Sequence, residues 1–211
     1  MNVLIDGENL RHRISEILVA KDRIRSQDSN AYFAFDVRYL LEKTLSSGDF
    51  TSTYYTTKIH FPKFPVPAAM TKRIKDIQEA NRRWIARLSA QGTRIVKAGY
   101  LKVRDSSKCI HCGKKTLLLQ EKGVDVRLSI DVVQLALIDQ AKDIVVVSSD
   151  ADIIPALTAA ISAGANVIYL CWDEDINKAI ASVASRTVTF DNRLVVEAFD
   201  RANKTGENYG K

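Results

Sequence analysis

The stretch Ile144-Val145-Val146-Val147-Ser148-Ser149-Asp150-Ala151-Asp152 decides the fold class. A short run of β-branched apolar residues reads as a buried strand. In a parallel sheet, the loop beyond a strand's C-terminal end is where ligands bind. Two carboxylates in that loop gain nothing from packing and repel each other. Working outward, Val3-Leu4-Ile5 runs straight into Asp6, with Asn9 three residues on. Lys122-Gly123-Val124-Asp125 opens an apolar-periodic segment that also carries Asp131. Asp6, Asp125, Asp150 and Asp152 thus stand at the ends of elements. Together they predict a site for a hard divalent cation, and so for phosphate chemistry.

Hydrophobic spacing predicts strands and helices in alternation. Strands are expected at about 2–5, 51–61, 93–98, 144–147, 165–170 and 187–190. Helices are expected over 10–20, from Phe33 to Leu45, along a stripe of Ile74, Ile77, Trp84, Ile85 and Leu88, and over 124–140, 153–163, 176–183 and 193–202. Such alternation predicts a Rossmann-like three-layer α/β/α sandwich around a mostly parallel sheet. Two short strands, Tyr100–Arg104 and Thr116–Gln120, flank Cys109-Ile110-His111-Cys112-Gly113 and predict a hairpin. The domain is expected to cover 1–202, with a basic helix and the hairpin inserted at about 62–121. The polar residues 203–211 are expected to be a disordered tail.

The chain of 211 residues is long enough to bury a core without staples, and 46% of it is hydrophobic. No apolar run approaches the roughly 20 residues that span a bilayer. The first strand begins at about Asn2, which leaves no room for a signal peptide. Three cysteines make no secreted disulfide framework, so the cytoplasm is the expected compartment.

The net charge of +6 conceals an asymmetry. Between Lys58 and Lys115 there are 15 Lys or Arg against three acids, a local excess of +12 that leaves −6 for the remainder. Concentrated basic charge is the footprint of a polyanion partner. Lys58, Lys72, Arg73, Arg82, Arg83, Arg87, Lys102 and Arg104 are the candidate phosphate contacts. Tyr55 and Tyr100 lie among them and are candidates to stack on unpaired bases. Trp84 keeps the spacing of an apolar stripe and is expected in the core.

Among the acids, Asp150 is the first choice to touch a metal, and Asp152 is expected to act through water. Asp125 follows a glycine at a helix start, so a helix-capping role stays open for it. Asp6 is open to a turn role in the same way. Asp125 and Asp131 are six apart, roughly 240° of helical rotation, so both cannot face one site. Asp131, Ser148 and Ser149 are therefore expected to hydrogen-bond and orient the ligating acids.

Ile5-Asp6-Gly7-Glu8-Asn9-Leu10, then Lys122-Gly123-Val124-Asp125-Val126 with Asp131, then Ser148-Ser149-Asp150-Ala151-Asp152 occur in that order. Together they resemble the NYN domain of the PIN-like nuclease superfamily, and within it the bacterial LabA-like group. The resemblance runs from residue 2 to about 190. It implies a Rossmann-like sandwich and cleavage of RNA, single-stranded or structured, by water activated on Mg²⁺ or Mn²⁺. By motif it places the acidic site on Asp6, Asp125, Asp150 and Asp152, and a polar orienting residue on Asn9. Ser149 departs from the glycine that the family often has there.

The expected activity is therefore metal-dependent endoribonuclease, with an RNA-binding or regulatory protein carrying a weak or silent site as the alternative. A nucleotide-binding Rossmann enzyme is disfavoured, because no Gly-x-Gly-x-x-Gly follows the first strand and no P-loop motif occurs. Cys109 and Cys112 have metal-ligand spacing, but a closed zinc site needs four ligands, so zinc is not expected there. A homodimer is compatible with the sequence.

Overall fold

The computed structural model describes residues 1–25, 32–61, 65–105 and 117–204; the side chains of Arg104, Asp105 and Leu117 lie outside that description. The expected Cys109–Cys112 turn and most of the polar tail also fall outside it.

Among the described residues, seven strands form one sheet in the order β4-β3-β2-β1-β5-β6-β7. They are β1 (Asn2–Asp6), β2 (Thr51–Lys58), β3 (Arg94–Asp105), β4 (Leu117–Lys122), β5 (Asp143–Val147), β6 (Asn166–Trp172) and β7 (Arg186–Phe190). Every pairing is parallel except β3 with β4. The helices are α1 (Gly7–Ala20), α2 (Val37–Leu45), α3 (Ala68–Ala90), α4 (Val124–Leu137), α5 (Ile154–Ser162), α6 (Lys178–Val183) and α7 (Asn192–Lys204).

The pleat explains the two helical layers. Val3 and Ile5 of β1 point to one face, where Leu10, Ile14, Leu40, Trp84 and Val195 bury them. Leu4 points to the other, against Leu128, Val132, Leu157 and Ile180. Strands covered on both faces need apolar residues at every position, which is why β5 is a continuous run rather than an alternation. The expected three-layer sandwich is the observed one. No helix among the described residues is long and apolar enough to cross a membrane.

Three departures from the sequence reading have local causes. Helix α2 starts at Val37, and the buried Phe33 and Phe35 precede it in non-helical chain, where Phe33 packs edge-on to Trp84. The two short strands expected at 93–98 and 100–104 are one strand, β3, because Gly99 carries the chain through at φ +65. A side chain at Gly99 would collide with the carbonyl of Lys122, so the β3–β4 crossing requires glycine there. Finally, the segment expected as an insertion at about 62–121 builds part of the sandwich itself. Helix α3 sinks Trp84 into the core, and β3 and β4 extend the sheet.

Candidate active site

Strand β1 is flanked by β2 on one side and β5 on the other, and the chain order reverses between β1 and β5. Helices α1 to α3 lie on one face and α4 to α6 on the other, so their starts diverge at this point. A crevice opens beyond the C-terminal ends of β1 and β5, as expected at a switch point of an open α/β sheet. It is a cavity of about 510 Å³, lined among others by Asp6, Glu121, Asp125, Asp150 and Asp152.

Each acid arrives there for a local reason. Asp150 follows β5 and caps a single turn of 3₁₀ helix, Ala151–Ile153, with Oδ1 accepting from the Asp152 amide at 2.9 Å. That turn folds Asp152 back beside Asp150. Asp125 lies in the first turn of α4, whose N-cap is Gly123 at φ +84. Asp125 is therefore not the cap, and its carboxylate is free to face the crevice. Carboxylate oxygens of Asp125, Asp150 and Asp152 all lie within 4.8 Å of one another. None of the three forms an ion pair with a described residue. Three hard oxygen donors this close, without a cation of the protein among them, fit a divalent ion.

Asp6 lines the same cavity but stands outside that trio. As the N-cap of α1 it accepts from the Asn9 amide on Oδ1 at 3.2 Å, and from Ser148 Oγ on Oδ2 at 3.3 Å. Burial, reinforced by Glu8 and Asp150, pushes its carboxyl up to about 6 despite these two donors. Asn9 lines the same cavity, and its Nδ2 donates to Ser149 Oγ at 2.8 Å, tying α1 to the β5 loop. The loop is held from its other side by Asn177, whose Nδ2 donates to the Ser149 carbonyl at 2.9 Å.

Asp131 is corrected. It is buried as expected, but it faces the opposite pole, where it accepts from Tyr55 OH at 2.7 Å and pairs with Arg127 at 2.9 Å. Six residues along the helix carry it away from Asp125, too far to orient the trio. Tyr55 is corrected with it: the ring is buried and its hydroxyl is spent on Asp131, so it stacks on nothing. Tyr100 is 53% exposed.

Glu121 is the residue the sequence did not reveal. It is the next-to-last residue of β4, directly before the Lys122-Gly123 corner, and lines the crevice. Burial first, then Glu8, Asp6 and Asp125, push its carboxyl up to about 8. The signal was present, because Glu121 is the acid nearest the Gly123 corner that delivers Asp125. The antiparallel register that aims it inward was not.

The basic candidates divide. Lys58, Lys72, Arg73 and Lys102 are exposed. Arg82 and Arg83 are bound to Glu79 at 2.9 and 2.7 Å, and Arg87 donates to the Ala202 carbonyl at 3.1 Å, tying α3 to α7. The side chain of Arg104 is outside the described residues. Arg13 and Lys122 also line the cavity and bring positive charge to the acidic rim, with His12 beside them.

Among solved structures, a protein of unknown function from Vibrio parahaemolyticus superposes with a TM-score of 0.54 at 16% identity, over 90% of this chain and 91% of that one. At that identity the likeness shows a shared fold and nothing finer. No curated protein matches the sequence significantly. The NYN domain family matches residues 1–200, a span that contains β1 to β7 and every acid of the crevice. The chain belongs to the NYN domain family, within the PIN-like nuclease superfamily.

Proposed function

We propose that this protein is a metal-dependent endoribonuclease that hydrolyses RNA phosphodiester bonds in the crevice beyond β1 and β5. The observation that carries the proposal is the convergence of Asp125, Asp150 and Asp152 from two separate crossovers onto one point. Clustered carboxylates of this kind lower the stability of the free protein through mutual repulsion. A bound divalent cation would offset that repulsion.

Asp125, Asp150 and Asp152 would hold the ion, Mg²⁺ or Mn²⁺. When bound, such an ion lowers the pKa of water and neutralises charge on the phosphate. The rest is done by the chain. Ser148 and the Asp150 cap fix the direction of the β5 loop, and the Asn9–Ser149 bond fixes its distance from α1. Asp6, with its carboxyl held near 6, offers Oδ2 as a proton acceptor at the cavity floor. Exposed Lys72, Arg73 and Lys102 would attract the RNA backbone, and phosphodiester cleavage needs such positioning more than a special nucleophile.

Incubation of the purified protein with mixed RNA and DNA, in Mg²⁺, in Mn²⁺ or in EDTA, tests the proposal. Cleavage of RNA in the presence of metal, abolished by EDTA, is the expected result. RNA that is bound but intact in both metals would make the protein an RNA-binding one and overturn the nuclease assignment.

A further inference from the structure

A second cavity of about 310 Å³ adjoins the acidic crevice, and the two share Glu8 and Glu121 as common wall. It lies beyond the ends of β2 and β3, under the N-terminal half of α3. Its walls are of three kinds, one of them the charged Glu8, Arg11, Arg73 and Glu121. Ile77, Leu101 and Leu119 supply apolar surface, while Thr56, Thr57 and Asn81 supply polar groups.

Those three polar residues are the unusual feature. Asn81 is 8% exposed, Thr56 8% and Thr57 5%, so each is more than nine-tenths buried. None of their side chains has a hydrogen-bond partner among the described residues. Their polar atoms are not sealed in the core; they open onto the cavity, where water or a ligand can pair with them. An asparagine within the buried stripe of α3, between Ile77 and Trp84, could be replaced by an apolar residue at no cost to helix packing. Its retention next to two unpaired hydroxyls points to a ligand.

The geometry points to a nucleobase subsite: the cavity takes one unpaired base of the RNA, next to the phosphate that is cut. This deepens the ribonuclease proposal and rests on it for the ligand's identity. An amide presents a donor and an acceptor side by side, which is the pattern of a base edge rather than of a phosphate. The flanking Ile77, Leu101 and Leu119 suit the faces of a planar ring. The volume accommodates a base with part of its ribose and excludes a second nucleotide. Arg73, exposed at the same cavity, stands where the backbone would leave it. Glu8 and Glu121, as shared wall, make the base pocket and the acidic crevice neighbours along one strand of RNA.

The test is equilibrium binding of the four ribonucleoside 5′-monophosphates to the full chain in Mg²⁺, by calorimetry. These probes contain no phosphodiester bond, so binding is read without cleavage. One base is expected to bind about tenfold tighter than the others. Asn81→Ala should bring all four to within about twofold of each other. Gln120→Ala, at a half-buried wall position that tolerates truncation, should shrink the preference if Asn81→Ala fails to fold. Equal affinity of the four for the unaltered protein would overturn the inference, as would a preference that survives in both variants. The two proposals fail separately. A protein that discriminates bases but cuts no RNA keeps the subsite and loses the nuclease activity. One that cuts RNA without discriminating bases does the reverse.

Discussion

Ser148 donates from Oγ to Oδ2 of Asp6 at 3.3 Å, across 142 positions of chain. The same oxygen accepts from the Asp150 amide at 3.2 Å. One hydroxyl thus joins the end of β1 to the end of β5 and sets where Asp150 begins its turn. Ser148→Ala is predicted to loosen this junction. Folding should weaken by about 1 kcal/mol. Metal-dependent cleavage should fall about 10- to 100-fold, as is usual when the support of a ligating residue is removed. Thermal melts and initial rates measured on the same preparation check both.

The raised acids predict a pH dependence of the metal-free protein. Asp6 is moved from 3.8 to about 6 and Glu121 from 4.5 to about 8, in both cases chiefly by burial. The folded state therefore binds protons more tightly than the unfolded chain. Stability from these groups is fully present below their unfolded values and is lost as pH rises through 6 and then 8. In EDTA, the melting temperature should drop between pH 5 and pH 8.5. Glu121→Gln should flatten that drop and stabilise the protein at pH 8 by on the order of 1 kcal/mol, since water in the open cavity screens part of the effect. A melting temperature that rises over this range would contradict the assignment.

Much of this was legible in the sequence, and the limits have physical causes. The β5 run and the acids after it mark a buried parallel strand and its ligand edge without any knowledge of partners. Gly7 belongs to the motif Asp6-Gly7-Glu8-Asn9, but the reason for glycine there is steric. A Cβ there would strike the Tyr55 carbonyl and the Tyr54 ring, whose hydroxyl donates to the Gly7 carbonyl at 2.9 Å. Glu121 was missed and Tyr55 misjudged because their direction depends on register: β4 runs antiparallel to β3, and β2 turns Tyr55 away from the crevice toward Asp131. Charge counting found the basic segment but not that Arg82, Arg83 and Arg87 are spent on Glu79 and Ala202. Composition cannot distinguish a free cation from a paired one.

Gly7→Ala should therefore destabilise severely. The added methyl forces α1 away from β2 and breaks the Tyr54 bond, at a cost of about 3 kcal/mol. Denaturant midpoints provide the measurement. Loss of cleavage in this variant should track loss of folded protein rather than a change in metal affinity.

The pairing of the arginines predicts a hierarchy in RNA binding. Replacing Lys72, Arg73 and Lys102 together with Gln should weaken binding across all sequences. It should also flatten the log–log salt dependence by about 0.7 for each lost phosphate contact on a single strand. Replacing Arg82 and Arg83 should change the slope less, because Glu79 already holds them. Anisotropy titrations over a range of salt concentrations compare the two sets.

The central claim is that Asp125, Asp150 and Asp152 hold the ion that cleavage requires. Calorimetric titration of Mn²⁺ into the unaltered protein and into Asp150→Asn, with RNA cleavage read from the same samples, tests it most directly. The unaltered protein should bind Mn²⁺ and cut RNA. Asp150→Asn should remain folded, with equal or higher stability in EDTA, yet lose both Mn²⁺ binding and cleavage by at least about 100-fold. Cleavage at the unaltered rate by a folded Asp150→Asn protein in Mn²⁺ would place the chemistry elsewhere and contradict the account.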